Sequence, residues 1–133
     1  MSHTNLKIGC AGAGVLGGAI MQRLLESRCD VMVWNRTPER LQALTALGAK
    51  MAAEPVELSH HADFILTCLT DGAAVEAVVF GSKGVAVAGS DDKILIDMSM
   101  ADPVHTTSMA ARLLNQCGMR WIDAPISGGA TAT

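Results

Sequence analysis

Three glycines, Gly12, Gly14 and Gly17, stand in the stretch GAGVLG with the G-x-G-x-x-G spacing that suits phosphate binding. In such a stretch the first glycine permits a tight turn, the second lets backbone approach a pyrophosphate, and the third lets a helix pack closely on a strand. The N-terminus of the following helix offers unpaired N–H groups to the anion. An apolar run precedes the stretch and a helical pattern follows it. This context favours dinucleotide binding over a glycine turn chosen for packing alone.

A second polar group, Asn35, Arg36 and Thr37, ends the next apolar run, where dinucleotide sites select their cofactor. NAD sites carry Asp or Glu there, because a carboxylate accepts hydrogen bonds from the ribose 2′-OH. Arg36 can instead bind a 2′-phosphate bidentately or stack on adenine, while Asn35 and Thr37 add neutral donors. Since a hydrogen bond to a charged group contributes ~1.5–3 kcal/mol, we expect NADPH to bind roughly ten- to a hundredfold tighter than NADH. The alternative is a solvated arginine at a helix start.

Strands and helices must alternate to position these residues. Apolar runs predict strands over residues 6–10, 30–35, 50–53 (weak), 63–70, 93–99 and 119–125. Helical spacing, caps and stops predict helices over residues 15–27, from a Thr37 cap and Pro38 to Gly48, over 73–80, and from about 103 to 117. Strands separated by such helices predict an α/β, Rossmann-type doubly wound, mainly parallel six-stranded sheet. Residues 1–133 are interpreted as one domain.

Charge and hydropathy argue against two classes of partner. The net charge is −3 and the basic residues are not clustered, so nucleic acid and membrane surfaces have little electrostatic support. No apolar stretch reaches the roughly 18 residues that would span a bilayer, and the N-terminus lacks a signal-peptide pattern. We expect a cytoplasmic protein.

The sequence predicts neither disulfides nor a metal site. Its four cysteines are far apart and form no CxxC pair, which favours free thiols in a reducing compartment. His60 and His61 are neighbours, so they cannot share one helix face as metal ligands; we expect a solvated helix end there.

Five stretches together resemble the β-hydroxyacid dehydrogenase family, which includes 3-hydroxyisobutyrate dehydrogenases and glyoxylate/succinic semialdehyde reductases. They read IGCAGAGVLGGAIMQRLL, VWNRTPER, CLTDGAAVEAVVFGSKGV, LIDMS and DAPISGG. The related 6-phosphogluconate dehydrogenases share NRT and an SGG element, but the Asp-Ala-Pro before it favours the hydroxyacid group. Imine reductases also resemble the N-terminal half and carry WNRT, yet their equivalent of the last stretch lacks Ser-Gly-Gly.

The resemblance implies roles for individual residues. The pyrophosphate would be lined by Gly12, Ala13, Gly14, Val15 and Leu16; the adenosine side by Leu69 and Thr70; the nicotinamide ribose by Ser99; and the substrate carboxylate by Ser127, Gly128 and Gly129. Small residues suit the last role because they expose consecutive backbone N–H groups, to which Ser127 adds a hydroxyl donor. One position departs from the family pattern, since Met100 follows Ser99 where the family usually has Thr.

Catalysis would need a further residue. Hydride transfer to a carbonyl leaves an alkoxide that must be protonated, and the resemblance implies a lysine on a helix after the nucleotide domain. No lysine follows Ser127, so we expect no catalytic residue in this chain and place the family's lysine and helical C-terminal domain beyond Thr133. The isolated 133 residues are then expected to bind cofactor without turnover.

The resemblance implies the function of the parent protein. It would be an NADP-dependent oxidoreductase, homo-oligomeric at full length, that interconverts a small β-hydroxy acid and its semialdehyde or reduces glyoxylate or semialdehydes. Its partner would be a small carboxylate-bearing substrate. Two alternatives stay open: a non-catalytic NADP-binding sensor or interaction module, and an imine reductase-like enzyme.

Overall fold

The computed structural model describes residues 6–124, which form a parallel sheet of six strands in the order β3-β2-β1-β4-β5-β6. The strands are β1 (Lys7–Ala11), β2 (Asp30–Trp34), β3 (Lys50–Met51), β4 (Phe64–Thr67), β5 (Ile94–Asp97) and β6 (Arg120–Asp123). The strand order reverses between β1 and β4, and ligands of doubly wound folds bind outside the carboxyl ends of strands at such a point. The predicted Rossmann-type α/β class is confirmed.

Within residues 6–124, five α-helices cover the two faces of the sheet. They are α1 (Val15–Glu26), α2 (Gln42–Ala46), α3 (Val56–His61), α4 (Gly72–Phe80) and α5 (Pro103–Cys117), with 3-10 turns at Pro38–Leu41 and Val85–Ala88. Met21 of α1 and Leu44 of α2 share one buried cluster with Ile8 and Cys10 of β1. The other face carries a second cluster, in which α3, α4 and α5 pack on β4 and β5. The central strands are therefore apolar on both sides, as burial between helices requires.

Capping and helix-ending residues in the sequence predicted the ends of α4 and α5 to within one residue. The Asp102 carboxylate accepts a hydrogen bond from the His105 N–H at 3.3 Å, and Gly118 closes the helix at φ +81°. Asp71 caps α4 in the same way, accepting from the Ala74 N–H at 2.9 Å, so this helix begins at Gly72. A carboxylate that satisfies a free N–H of the first turn stabilises the helix start.

The segment after β2 differs from its prediction. Thr37 precedes the helical segment as expected, but its hydroxyl makes no capping hydrogen bond. The segment starts as a 3-10 turn, in which the Arg40 N–H donates to the Thr37 carbonyl oxygen at 3.1 Å, and only Gln42–Ala46 is α-helical. Such tight turns are frequent at helix N-termini.

A helix end was expected at His60 and His61, but the sequence did not give the bounds of α3, because six residues are too few to show a helical period. Tertiary contacts hold it instead: Leu58 and Ser59 are fully buried, and the Ser59 hydroxyl donates to the Val85 carbonyl oxygen at 2.7 Å. The predicted solvated histidine pair was wrong for His61. Its side chain is 8% exposed, and its Nε2 lies 3.1 Å from the Asp30 carbonyl oxygen, a contact between segments far apart in sequence.

Two neighbouring leucines of α5 test which face of this helix packs on the sheet. Leu113 is fully buried and Leu114 is 55% exposed. We expect Leu113→Ala to lower the free energy of unfolding by about 2–5 kcal/mol, since it leaves a cavity, and Leu114→Ala to change it by no more than about 0.5 kcal/mol. Urea unfolding of both variants checks this, and equal losses would contradict the packing of α5.

Candidate functional site

A groove of about 960 Å³ opens at the carboxyl ends of the strands around the switch point. Gly12 and Gly14 contribute from the turn after β1, while Arg36, Thr37 and Arg40 follow β2. The third wall is the segment after β4 together with α4, including Leu69 and Thr70. This volume is in the range of small-molecule and cofactor sites, and the chemistry of the groove differs from wall to wall.

The turn after β1 has no room for side chains at two of its glycines. Gly12 has φ +102°, and a Cβ there would lie 2.1 Å from the Cys68 carbonyl oxygen. A Cβ on Gly17 would lie 2.0 Å from the Gly12 carbonyl oxygen. These positions match the tight turn and the close packing of helix on strand that the glycine spacing predicts.

Gly14 differs from both, because a Cβ there would meet nothing within 4 Å. It lies at the N-terminus of α1, a helix with no side-chain cap and no acidic residue in its first turn. The first N–H groups of a helix have no intrahelical partner, and its dipole favours an anion there. This end of the groove therefore suits a pyrophosphate.

Hydrogen bonds tie the glycine turn to β2. The Gly12 N–H donates to the Trp34 carbonyl oxygen at 2.9 Å, and the Ala13 N–H donates to Asn35 Oδ1 at 2.8 Å. Ala13, predicted to line the pyrophosphate, is buried, and its N–H points to Asn35. The turn is thus held by its neighbours before any ligand arrives.

Two exposed arginines follow β2 along the groove, Arg36 and Arg40. Neither takes part in an ion pair within residues 6–124. The sequence interpretation included Arg36 and missed Arg40. Arg40 could have been found from the turn that Pro38 starts. In that turn the Arg40 N–H donates to the Thr37 carbonyl oxygen, which keeps Arg40 near the end of β2.

Asn35 has two partners inside the chain. Its Oδ1 accepts from Ala13, and its Nδ2 donates to the Thr37 carbonyl oxygen at 3.0 Å. The sequence prediction that Asn35 donates to the ligand stays a prediction.

Ser99 is 3% exposed and is not among the residues that line the groove. Its hydroxyl oxygen accepts from the Leu69 N–H at 2.8 Å, and its own N–H donates to Asp97 Oδ1 at 3.0 Å. The Thr67 hydroxyl donates to the same oxygen at 2.9 Å. This network fixes the segment after β4 that carries Leu69 into the groove.

Three more predicted residues can be placed. Val15 is 88% exposed and Leu16 is partly buried in the first turn of α1; neither side chain lines the groove. Met100 is 63% exposed. The predicted substrate residues Ser127, Gly128 and Gly129 lie outside the described residues.

Two thiols near the groove, the buried Cys10 and the partly buried Cys68, are poor nucleophiles. Burial raises the pKa of Cys10 to about 12, with smaller contributions from Cys29 and Cys68. Burial, and then the charge of Asp97, raise the pKa of Cys68, which lines the groove. Both stay protonated at neutral pH, whereas the thiolate is the reactive form. All four cysteines are free, and residues 6–124 contain no cluster of His, Cys, Asp and Glu that could hold a metal ion.

The family described as the NAD binding domain of 6-phosphogluconate dehydrogenase matches residues 7–133. The chain belongs to this family. The match agrees with the glycine turn, the strand order and the groove, and it confirms the predicted kinship with hydroxyacid dehydrogenases, which appear among the relatives of this NAD-binding domain. Among the described residues, no helix has the length and apolarity needed to cross a membrane.

Relatives of this NAD-binding domain carry different names. Cytokine-like nuclear factor N-PAC of Xenopus tropicalis is 35% identical over 94% of the chain and 23% of that protein. L-threonate dehydrogenase of Cupriavidus necator is 35% identical over 92% of the chain and 41% of that protein. Glyoxylate/succinic semialdehyde reductase 2 of Arabidopsis thaliana, a chloroplastic protein, is 32% identical over 92% of the chain and 34% of that protein.

Solved structures repeat the fold. The structure of Psf3 in complex with NADP+ and 2-OPP is 31% identical, with a TM-score of 0.85, over 92% of the chain and 43% of that protein. An imine reductase from Pseudomonas sp. is 26% identical with a TM-score of 0.78, over 92% of the chain and 42% of that protein. The chain spans less than half the length of each of these proteins.

Adjacent glycines of α1 test the close packing of this NAD-binding domain. We expect Gly17→Ala to lower the free energy of unfolding by about 1–3 kcal/mol, because its methyl group would collide with the Gly12 carbonyl. A Cβ on Gly18 has no neighbour nearer than 3.8 Å, so Gly18→Ala should raise it by about 0.5–1 kcal/mol through helix propensity. Thermal unfolding measures both, and a stabilising Gly17→Ala would contradict the geometry of the turn.

Proposed function

We propose that the domain binds NADP and supplies the cofactor-binding half of an oxidoreductase. The observation that carries the proposal is the pair of arginines, Arg36 and Arg40, along the groove that starts at the uncapped end of α1. The helix end suits a pyrophosphate, and the guanidinium groups suit a further phosphate at the end of β2.

Electrostatics at the end of β2 support NADP over NAD. Asn35 stands where an NAD site carries a carboxylate, so no negative charge at that position opposes a 2′-phosphate. The groove does contain two carboxylates, but both are engaged: Asp71 caps α4, and Glu54 Oε2 lies 3.8 Å from Lys83 Nζ. The two arginines thus supply positive charge that no internal partner offsets among the described residues.

The substrate proposed is a small β-hydroxy acid or its semialdehyde, such as a 3-hydroxyisobutyrate-like acid, or glyoxylate. L-threonate, glyoxylate and succinic semialdehyde, in the names of two relatives, all carry a carboxylate. The nicotinamide supplies or accepts the hydride when the cofactor is bound, and Ser127, Gly128 and Gly129 are proposed to hold the carboxylate. The parent enzyme is proposed to be a cytoplasmic homo-oligomer.

Two alternatives have support of their own. A non-catalytic NADP-binding module is supported by the 35% identity to a protein named as a nuclear factor. An imine reductase is supported by a solved structure at 26% identity, although that reaction gives no role to a carboxylate-binding Ser-Gly-Gly.

An assay of the complete gene product separates these functions. We expect NADPH to be oxidised when glyoxylate or succinic semialdehyde is added, as followed by its absorbance. Tight NADPH binding without oxidation of any aldehyde acid would favour the non-catalytic module. Turnover with a cyclic imine alone would favour the imine reductase.

A charge-matched pair of variants tests the role of Arg36. Because a hydrogen bond to a charged group contributes ~1.5–3 kcal/mol, Arg36→Ala should weaken NADPH binding by about ten- to a hundredfold. NADH has no 2′-phosphate, so its affinity should change far less. Titration of both nucleotides by fluorescence measures the difference.

Arg23 provides the control, since its side chain is 83% exposed on α1 and it does not line the groove. Arg23→Ala removes the same unit of charge, and it should leave both affinities within about twofold of the wild type. Equal losses of NADPH and NADH affinity in Arg36→Ala would contradict a 2′-phosphate contact.

A further inference from the structure

We propose that Asn35 is a positioning residue that locks the two phosphate-recognising segments of the domain to each other. This inference rests on the proposed function. The evidence is that one side-chain amide meets the glycine turn through its oxygen and the arginine-bearing turn through its nitrogen.

The amide oxygen fixes the glycine turn. Asn35 Oδ1 accepts from the Ala13 N–H at 2.8 Å, beside the hydrogen bond from the Gly12 N–H to the Trp34 carbonyl oxygen. Two successive N–H groups of the turn are therefore engaged by the end of β2. The pyrophosphate is left to the N–H groups of the first turn of α1, which have no partner within the helix.

The amide nitrogen fixes the arginine-bearing turn. Asn35 Nδ2 donates at 3.0 Å to the Thr37 carbonyl oxygen, which also accepts from the Arg40 N–H at 3.1 Å. This carbonyl closes the turn that presents Arg36 and Arg40. Asn35 thereby sets the spacing between the pyrophosphate end of the groove and the guanidinium groups.

The lock needs a donor and an acceptor in one short planar group, which asparagine provides. A carboxylate at position 35 would keep the bond from Ala13 but set its second oxygen against the Thr37 carbonyl oxygen. An alanine would lose both bonds. Asn35→Asp therefore removes only the hydrogen bond to Thr37, whereas Asn35→Ala also removes the one from Ala13.

The two nucleotides separate positioning from direct contact. NADPH and NADH share the pyrophosphate, and only NADPH has the 2′-phosphate. A residue that shapes the glycine turn must affect both nucleotides, whereas a residue that only contacts the 2′-phosphate affects NADPH alone.

The test combines amide hydrogen exchange of Ala13, measured by NMR without nucleotide, with affinities for NADPH and NADH. In Asn35→Ala we expect Ala13 exchange to accelerate by about tenfold or more and both affinities to fall about three- to tenfold. In Asn35→Asp we expect Ala13 protection and NADH affinity to be kept and NADPH affinity to fall at least about tenfold. Asn115→Ala, an exposed asparagine of α5, should change none of these.

Loss of NADPH affinity alone in Asn35→Ala, with Ala13 exchange unchanged, would overturn the lock in favour of direct contact. If the wild-type protein bound neither nucleotide, the proposed function would fail. Exchange at Ala13 would still decide the lock in that case, because it is measured without ligand.

Discussion

The site depends on a place where three backbone segments meet without side chains between them. At the end of β1, Gly12 approaches the carbonyl of Cys68, and Gly17 brings α1 against Gly12. Any Cβ at these two glycines would force the segments apart. This contact aims the N-terminus of α1 at the groove, and the neighbouring Gly14 leaves the space in front of it open. Packing and anion binding thus have the same structural origin.

Hydrogen bonds extend this arrangement sideways to both neighbours of β1. On the β2 side, the Asn35 amide joins the glycine turn to the turn that carries Arg36 and Arg40. On the β4 side, Asp97 and Ser99 hold the segment that contains Leu69. These hydrogen bonds fix both walls of the groove from within the protein, while its two arginines form no ion pair among the described residues. This division of roles suits a site that binds a doubly charged group without large rearrangement.

The sequence predicted the features that depend on residues close together in the chain, namely the strands and the ends of the helices. Continuous apolar runs separated by helical patterns predicted the strands. Asp102, Pro103 and Gly118 predicted the bounds of α5. The sequence did not reveal contacts between distant segments, such as the burial of His61 against Asp30 or the bond between Ser99 and Leu69. It also could not show that the Asn35 amide is engaged inside the chain, because that depends on the distance between β2 and the glycine turn. An asparagine at position 35 suggests a contact with the ligand. Only the structure reveals its hydrogen bonds to Ala13 and Thr37.

A crystal structure of the protein with NADPH would show directly which groups hold the phosphates of the cofactor. We expect the pyrophosphate at the first turn of α1 and the 2′-phosphate within hydrogen-bond distance of the Arg36 and Arg40 guanidinium groups. A nucleotide bound with its 2′-phosphate away from both arginines, or a pyrophosphate away from α1, would contradict this expectation.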